Sequence, residues 1–160
     1  MSDSLRLNIS NYETDEAVFF YTPHFYVFDN FSSFAIEIWG KVFATAEHAY
    51  QWKKFDYSKS EVAEQILLAR SARDTKVISD ANRNVVDSSW DTVKIHFMEE
   101  ILRAKLTQHE VVKKRLIETT GKDIVENSPT DGFWGCADGG GENHLGKLWM
   151  KLRSELLAVQ

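Results

Sequence analysis

The sequence predicts a mostly helical α+β domain with a few short strands packed on a helical core. Three observations favour this class: long stretches with apolar residues at helical spacing, short apolar runs between turn formers, and no linker or internal repeat. A chain of 160 residues suits one domain with a substantial core. We expect residues 17–160 to form this single domain and the polar residues 1–16 to be a flexible N-terminal segment.

Short strands are predicted at three places. The apolar run 17–21 is typical of a buried strand, and residues 123–126 form a second candidate. Residues 35–39 and 41–43 are typical of two strands that turn at Gly40.

Most of the remaining residues are predicted to be helical. Thr45 is a suitable N-cap for the first helix. Ser88 or Ser89 is the predicted N-cap of the long helix, and Ser88 with Asp91 resembles a capping box. Residues 71–88 carry several basic side chains but show no clear hydrophobic period, so the sequence predicts neither a helix nor a strand there. The predicted helices span residues 45–57, 61–69, 88–108, 111–119 and from about 143 to 156.

Composition excludes several classes of protein and site. A net charge of −5 argues against nonspecific attraction to a nucleic-acid backbone or an anionic membrane. The only cysteine is Cys136, the five histidines lack ligand spacing, and no Gly-x-Ser-x-Gly occurs, so neither a metal site nor a nucleophilic serine is expected. No apolar stretch reaches membrane-spanning length, and we expect a cytoplasmic protein without a signal peptide or a cofactor.

The predicted helix 45–57 carries an unusual polar stripe. At helical spacing Glu47, Gln51 and Lys54 share one face with Tyr50, which brings an acid, an amide and a cation beside an aromatic ring. This stripe is either a solvated surface or part of a site.

The segment 128–142 is rich in glycine and predicts an irregular loop. Asp131 precedes Trp134 by three residues, and glycines 139–141 lead into a helix N-terminus whose free N–H groups suit a phosphate. The alternative is a structural loop with Trp134 filling the core. Trp90 likewise is either a core residue or a stacking platform for a ligand.

Several motifs follow one another over residues 19–156. They are Phe31-Ser-Ser-Phe34, Glu47-His-Ala-Tyr-Gln51 with Lys54, Trp90-Asp-x-Val-Lys94, Arg103-Ala-Lys-Leu-x-Gln108, Thr120-Gly121, Ile124-x-Glu126, Asp131-x-x-Trp134-Gly135 and Asn143-x-Leu-Gly146-x-x-Trp-Met150. In this order they resemble the NADAR, or YbiA-like, family, which includes N-glycosidases of riboflavin-biosynthesis intermediates. The resemblance implies a YbiA-like fold.

The resemblance also implies roles for individual residues. Glu47, Asp131 and Trp90 correspond to catalytic positions. Substrate-binding roles are implied for Phe31, Ser33, Phe34, Tyr50, Gln51, Lys54, Trp134, Gly135, Asn143 and Gly146. Three departures affect substrate choice and phosphate binding: Ser33 replaces an asparagine, Glu142 replaces a lysine, and an expected Gly-Arg is missing, with Arg83 the nearest substitute.

Cleavage of an N-glycosidic bond suits these residue types. The reaction passes through an oxocarbenium-like sugar, which needs a nearby carboxylate and protonation of the leaving base. Glu47 at the start of its helix suits the first task and Asp131 the second, with Trp90 or Trp134 stacking on the base. Lys54 either binds phosphate or forms an imine with the ring-opened sugar.

Three functions follow from the residues and the resemblance. The first is hydrolysis of ribosylamino-pyrimidine phosphates of riboflavin biosynthesis, so the partner is a small phosphorylated ribosyl substrate. The second is removal of ADP-ribose from guanine in nucleic acid or nucleotides, and the third is a non-catalytic nucleotide-binding or ADP-ribose-binding module. In either enzyme, helix 45–57 and loop 128–142 are expected to line one cleft that Glu47 and Asp131 face. The sequence predicts no oligomeric state.

Overall fold

The computed structural model describes residues 11–22, 24–56 and 60–159. Within these ranges the strands are β1 (Tyr12–Glu13), β2 (Ala17–Phe20), β3 (Ile36–Ile38), β4 (Lys41–Phe43) and β5 (Asp123–Glu126). The α-helices are α1 (Ala46–Lys53), α2 (Glu61–Leu67), α3 (Ala72–Ala81), α4 (Trp90–Gln108), α5 (Glu110–Glu118) and α6 (His144–Ala158). The predicted α+β class, mostly helical with short strands, is confirmed.

Contacts along the chain divide it into two compact units. The terminal unit combines Met1–Asp29 with Glu110–Gln160, and the central unit is Asn30–His109. None of the helices in the described part of the chain is long and apolar enough to span a membrane.

The terminal unit is built on a three-stranded sheet in the order β1-β2-β5. Strand β2 pairs antiparallel with β1 and parallel with β5, with Val18 opposite Ile124. Val18, Phe20 and Ile124 are buried, and helix α6, which carries the buried Trp149, packs against β5. The sheet therefore joins residues from both ends of the chain into one core.

Strand β1 lies inside the segment predicted to be flexible. The Glu13 carboxylate accepts hydrogen bonds from Lys122 at 2.8 Å and from Arg115 at 2.5 Å. These two hydrogen bonds hold the pKa of Glu13 below its usual value. Residues 12–13 are thus tied to the sheet, whereas residues 1–10 lie outside the described part of the chain.

The central unit contains a β3–β4 hairpin and helices α1 to α4. Trp39 and Gly40 form the two-residue hairpin turn with φ of 53° and 72°, the left-handed pair that a tight antiparallel turn requires. Helix α1 contacts the three other helices of the unit as well as β4. It is consequently the helix around which the unit is packed.

Two sequence-based predictions for the helices need correction. Helix α1 ends at Lys53 rather than 57, because the Phe55 N–H bonds back to the Trp52 carbonyl and Asp56 pairs with the Lys53 ammonium at 2.9 Å. Residue 57 lies outside the described residues. Of the two serines predicted as the N-cap of α4, the structure has Ser89. It makes no side-chain capping bond, and the predicted capping box of Ser88 with Asp91 is wrong.

The unassigned stretch 71–88 contains helix α3. Ser71 caps it by accepting a hydrogen bond from the Asp74 N–H at 3.1 Å. Its buried residues are Ala72, Thr75 and Ser79, which are small or polar, so a pattern of large apolar residues does not reveal them.

Candidate active site

Helix α1 is buried along nearly its whole length. The Thr45 hydroxyl caps the helix by accepting from the His48 N–H, as predicted, and Glu47 occupies the second helical position. Glu47 is 7% exposed and Gln51 is 2% exposed. The interpretation of their stripe as a solvated surface is therefore wrong.

Glu47 and Gln51 interact directly one helical turn apart. The Gln51 Nε2 donates to Glu47 Oε1 at 2.6 Å, and the Glu47 N–H donates to the Asn30 carbonyl at 3.0 Å. Among the described residues, Gln51 Oε1 and Asn30 Oδ1 are buried and have no hydrogen-bond partner. Two orphan acceptors beside a buried acid form an environment that packing alone does not favour.

Lys54 lies at the end of the same stripe. Its ammonium is 4.9 Å from the Tyr50 ring centroid and 6.0 Å from that of Trp90. Burial lowers the pKa of Lys54 from 10.5 to about 8, although the negative charge of Glu47 opposes that shift. A larger fraction of this side chain is therefore a neutral amine than for a lysine on the surface.

Charges from α3 and the residues after it also act on Lys54. Lys76 and Arg83 lower its pKa, and Asp80 raises it. Arg83 pairs with Asp80 at 2.9 Å and is largely exposed. Residues 71–88, for which the sequence predicted no element, thus supply cations near Lys54.

Trp90 is packed between two aromatic residues. Its ring centroid is 5.3 Å from that of Tyr50 and 6.0 Å from that of Phe97, to which it is nearly parallel. Trp90 is 8% exposed, so core packing describes most of its surroundings. We call Glu47, Tyr50, Gln51, Lys54 and Trp90 the central cluster.

Lys105 is a buried residue that sequence reasoning missed. It is fully buried, and its ammonium donates to the Ser32 hydroxyl at 2.9 Å and lies 5.0 Å from the Phe34 ring. Phe31 and Phe34 are half-buried and Ser33 is exposed. The only signal in the sequence was that Lys105 belongs to the motif at the end of α4. Nothing in the sequence linked that motif to the distant Ser-Ser-Phe motif at residues 32–34.

Loop 128–142 lies in the terminal unit and is held by its own polar groups. Asp131 Oδ1 accepts from the N–H groups of Phe133 at 2.9 Å and Trp134 at 2.8 Å. The Asp131 N–H in turn donates to the Ser128 hydroxyl at 3.0 Å. Asp131 therefore has a structural task in the loop, and its catalytic role stays a prediction.

The expected phosphate cradle at glycines 139–141 is wrong. The N–H groups of these glycines donate to the Cys136 and Ala137 carbonyls. The N–H groups of residues 142–145, at the start of α6, donate to carbonyls of residues 132–135. Because the loop already occupies these donors, they are not free for an anion.

Other predicted binding residues of the terminal unit are packed against β5 or the loop. A Cβ on Gly146 would lie 1.9 Å from the Ile124 carbonyl oxygen, and one on Gly135 would lie 2.9 Å from the Ser128 Cβ. The Asn143 side chain bonds to the Glu126 N–H and the Ile124 carbonyl. These contacts account for the residue types, and the binding roles stay predictions.

Trp134 is half-buried and packs edge-on against Phe133 at 4.9 Å between ring centroids. It is the more accessible of the two tryptophans predicted to stack on a base. The shared cleft of α1 and loop 128–142, faced by both Glu47 and Asp131, stays a prediction. In the described residues no group of three or more His, Cys, Asp or Glu side chains is arranged to hold a metal ion.

Comparison with known proteins agrees with these motifs. The NADAR domain model matches residues 18–157. The N-glycosidase Npun_R5314 of Nostoc punctiforme is 37% identical over 131 residues, which cover 81% of this chain and 84% of that protein. The N-glycosidase YbiA of Escherichia coli K12 is 34% identical over 137 residues, which cover 81% and 80% respectively.

Two further relatives extend the comparison. The chloroplastic riboflavin biosynthesis protein PYRR of Zea mays is 32% identical over 98% of this chain, which spans 27% of that longer protein. The solution NMR structure of Escherichia coli YbiA superposes with a TM-score of 0.80 at 31% identity, covering 95% of this chain and 91% of that one. The chain belongs to the NADAR domain family.

Proposed function

We propose that this protein is an N-glycosidase that hydrolyses the bond between ribose and a base or amine nitrogen. The proposed substrates are ribosylamino-pyrimidine phosphates of riboflavin biosynthesis. Relatives named N-glycosidase and riboflavin biosynthesis protein support both the reaction and the small ribosyl substrate. The observation that carries the proposal is the half-buried Lys54 amine, with a pKa of about 8, in the same cluster as the buried Glu47.

Glu47 is proposed to stabilise the positive charge that develops on the sugar. A carboxylate in a site from which water is largely excluded interacts strongly with such a charge. Its place in the first turn of α1 and the hydrogen bond from Gln51 support the role, because both orient and stabilise the anion. Asp131 is proposed as the acid that protonates the leaving nitrogen.

Lys54 is proposed to act as a neutral amine. In the ring-opened ribosylamine, C1 is bonded to the base nitrogen as an imine, and the Lys54 amine adds to C1. The base then leaves with its nitrogen protonated, which leaves C1 bonded to Lys54 as an imine. Water hydrolyses that imine, releasing the sugar aldehyde and the free amine. With a pKa of about 8, roughly one tenth of Lys54 is neutral at neutral pH.

The phosphate is proposed to contact cations of the α3 region. Lys76 and Arg83 are near enough to influence Lys54, and Arg83 is exposed. Phosphate binding by side chains is consistent with a loop 128–142 whose backbone donors are occupied.

A second substrate class is ADP-ribose joined to guanine, in nucleic acid or in nucleotides. The missing Gly-Arg favours it as the second candidate, because it removes a residue expected in flavin-pathway relatives. A non-catalytic binding module is the least favoured function. Binding an anion requires neither a buried acid nor a lysine whose amine is partly neutral.

The test is incubation of the purified protein with each substrate class, scoring release of free base and of ribose phosphate or ADP-ribose. We expect turnover of the ribosylamino-pyrimidine phosphate. Borohydride added during turnover should reduce the imine to a stable adduct on the peptide containing Lys54, and Lys54→Met should give none. Release of no base from any of these substrates would overturn the proposal. Turnover without an adduct at Lys54 would remove the covalent step alone.

A further inference from the structure

A cavity of about 220 Å³ opens in the central unit beside the central cluster. We infer that it is a subsite for a planar, amino-substituted heterocycle, with Asp87 as the acceptor of the amino group. The inference rests on the proposed function, since the heterocycle is the base released by that reaction.

The wall of the cavity is apolar and comes from one face of α4. Trp90, Val93 and Phe97 are spaced three and four residues apart, which places them on successive turns of the same side. The Trp90 and Phe97 rings are inclined by only 13°. Nearly parallel aromatic rings beside an aliphatic side chain suit the flat face of a heterocycle.

The rim of the cavity carries two carboxylates, but one is already neutralised. Asp56 pairs with the Lys53 ammonium at 2.9 Å. That ammonium also lies 4.6 Å from the Trp39 ring and 4.8 Å from the Phe97 ring, so aromatic contacts hold it in place. Asp56 is therefore the weaker candidate for a ligand donor.

Asp87 is the stronger candidate. Its Oδ1 accepts from the Ser89 N–H at 2.7 Å and from the Ser89 hydroxyl, and these bonds lower the pKa of the carboxyl. The side chain is thus fixed and ionised, and it has acceptor capacity left on its second oxygen. A carboxylate accepts strongly from an amino group and has nothing to donate to a carbonyl at the same place.

The size and position of the cavity agree with a base rather than a whole nucleotide. The volume lies below the range usual for larger ligands, which suits a heterocycle of one or two rings. Trp90 lines the cavity and also contacts Tyr50 and Lys54. A base stacked there would lie next to the residues proposed to act on the sugar. Guanine contains an aminopyrimidinone ring, and a ribosylamino-pyrimidine contains an amino-substituted pyrimidine ring, so this subsite serves either candidate substrate.

The experiment measures binding of two free bases by calorimetry, without turnover. Isocytosine is an aminopyrimidinone, and uracil is the matched base in which an oxo group replaces the amino group. We expect isocytosine to bind and uracil to bind at least about tenfold more weakly, because the charge-assisted hydrogen bond is lost. Equal binding of the two bases, or no binding of isocytosine, would overturn the subsite.

Variants locate the binding. Asp87→Asn retains an oxygen for the Ser89 bonds but removes the charge, and should weaken isocytosine binding about tenfold with an unchanged melting temperature. Glu100→Gln on the same helix, outside the cavity lining, should bind like the parent. Unchanged binding by Asp87→Asn would contradict the assignment. If isocytosine binding depends on Asp87 but the protein shows no N-glycosidase turnover, the proposed function is refuted and the subsite stands. If the protein turns substrate over but does not bind isocytosine, the subsite is refuted and the proposed function stands.

Discussion

Helix α1 and loop 128–142 both carry polar residues that the sequence marked as candidates for a site, but they differ in how those residues are hydrogen-bonded. The loop satisfies its polar groups internally: Asp131 accepts from its neighbours, and the donors at the start of α6 are taken by loop carbonyls. Helix α1 instead buries Glu47, leaves Gln51 Oε1 without a partner among the described residues, and lowers the pKa of Lys54.

This difference distinguishes a loop whose polar residues hold its shape from a helix whose polar residues are available for a reaction. A group that has its hydrogen bonds contributes to a fixed shape, whereas buried charges that cost free energy are retained where a reaction uses them. The glycine content of the loop and the helix N-terminus after it are typical of an anion site. The backbone N–H groups there already donate to carbonyls of the loop, so they are not free for an anion. Four substitutions test this comparison.

The largest expected effect is that of Glu47→Gln. The substitution keeps the shape and an oxygen that accepts from Gln51, but removes the charge that stabilises the sugar cation. Loss of such an interaction in a desolvated site costs about 3–4 kcal/mol, which is roughly a 100- to 1000-fold fall in kcat. Steady-state turnover and the melting temperature, measured together, check the prediction.

Glu61→Gln is the control for Glu47→Gln. Glu61 also lies in the first turn of a helix, α2, but is exposed, so its substitution should leave kcat unchanged. The pH–rate profile gives an independent readout. Glu47 raises the pKa of Lys54, so the variant's residual activity should rise at lower pH than that of the parent. Parental turnover in a normally folded Glu47→Gln protein would end the electrostatic role.

Gly146→Ala tests the scaffold side of the comparison. A Cβ at this position would lie 1.9 Å from the Ile124 carbonyl, so α6 and β5 must move apart. We expect the free energy of unfolding to fall by about 3 kcal/mol, measured by denaturant titration. Gly140→Ala is the matched control: its φ is −98° and the nearest atom is 3.9 Å away, so stability should change little. Equal stability of the two variants would contradict the close-packing explanation.

Asp131→Asn separates the two tasks assigned to Asp131. An asparagine side-chain oxygen still accepts from the Phe133 and Trp134 N–H groups, so the loop and the melting temperature should be preserved. If Asp131 is the acid, kcat falls by about 100-fold because asparagine cannot protonate the base. Unchanged kcat would leave Asp131 as a residue of the scaffold alone.

The smallest effect is a pH dependence of stability caused by Lys54. The folded-state pKa of about 8 lies below the 10.5 of an unperturbed lysine, so the folded protein loses this proton first as the pH rises. The cost of burying the ammonium is complete at neutral pH and is relieved between these two pKa values.

Comparison with Lys54→Met isolates this contribution. Relative to the variant, the parent should gain on the order of 1–3 kcal/mol of unfolding free energy as the pH rises from about 7 to about 10. Urea titrations of both proteins across this interval measure the difference. A difference that stays constant with pH would show that Lys54 has an ordinary pKa.

Much of this fold could be predicted, because its elements have local signals. The Thr45 cap, the turn at Gly40 and the stripe from Glu47 to Lys54 are all visible within a few residues. Helix α3 was missed because the residues on its buried side, Ala72, Thr75 and Ser79, are small or polar rather than large and apolar.

The parts of the site that sequence reasoning missed depend on distant residues. Lys105 meets Ser32 across a separation of 73 residues, and a lysine in a helix gives no indication that it is buried. The same holds for the start of α6, whose donors are taken by carbonyls about ten residues earlier in the chain. Such hydrogen bonds arise from tertiary packing, which periodicity does not encode.

The parallel pairing of β2 with β5 has a consequence for folding. Ala17 meets Asp123, so the sheet of the terminal unit cannot be completed until the whole central unit has left the ribosome. Closing such a long loop before any contact compensates for the lost chain entropy is slow. We therefore expect the central unit to collapse first during synthesis, carrying Glu47 and Lys54 with it, and the sheet to close last.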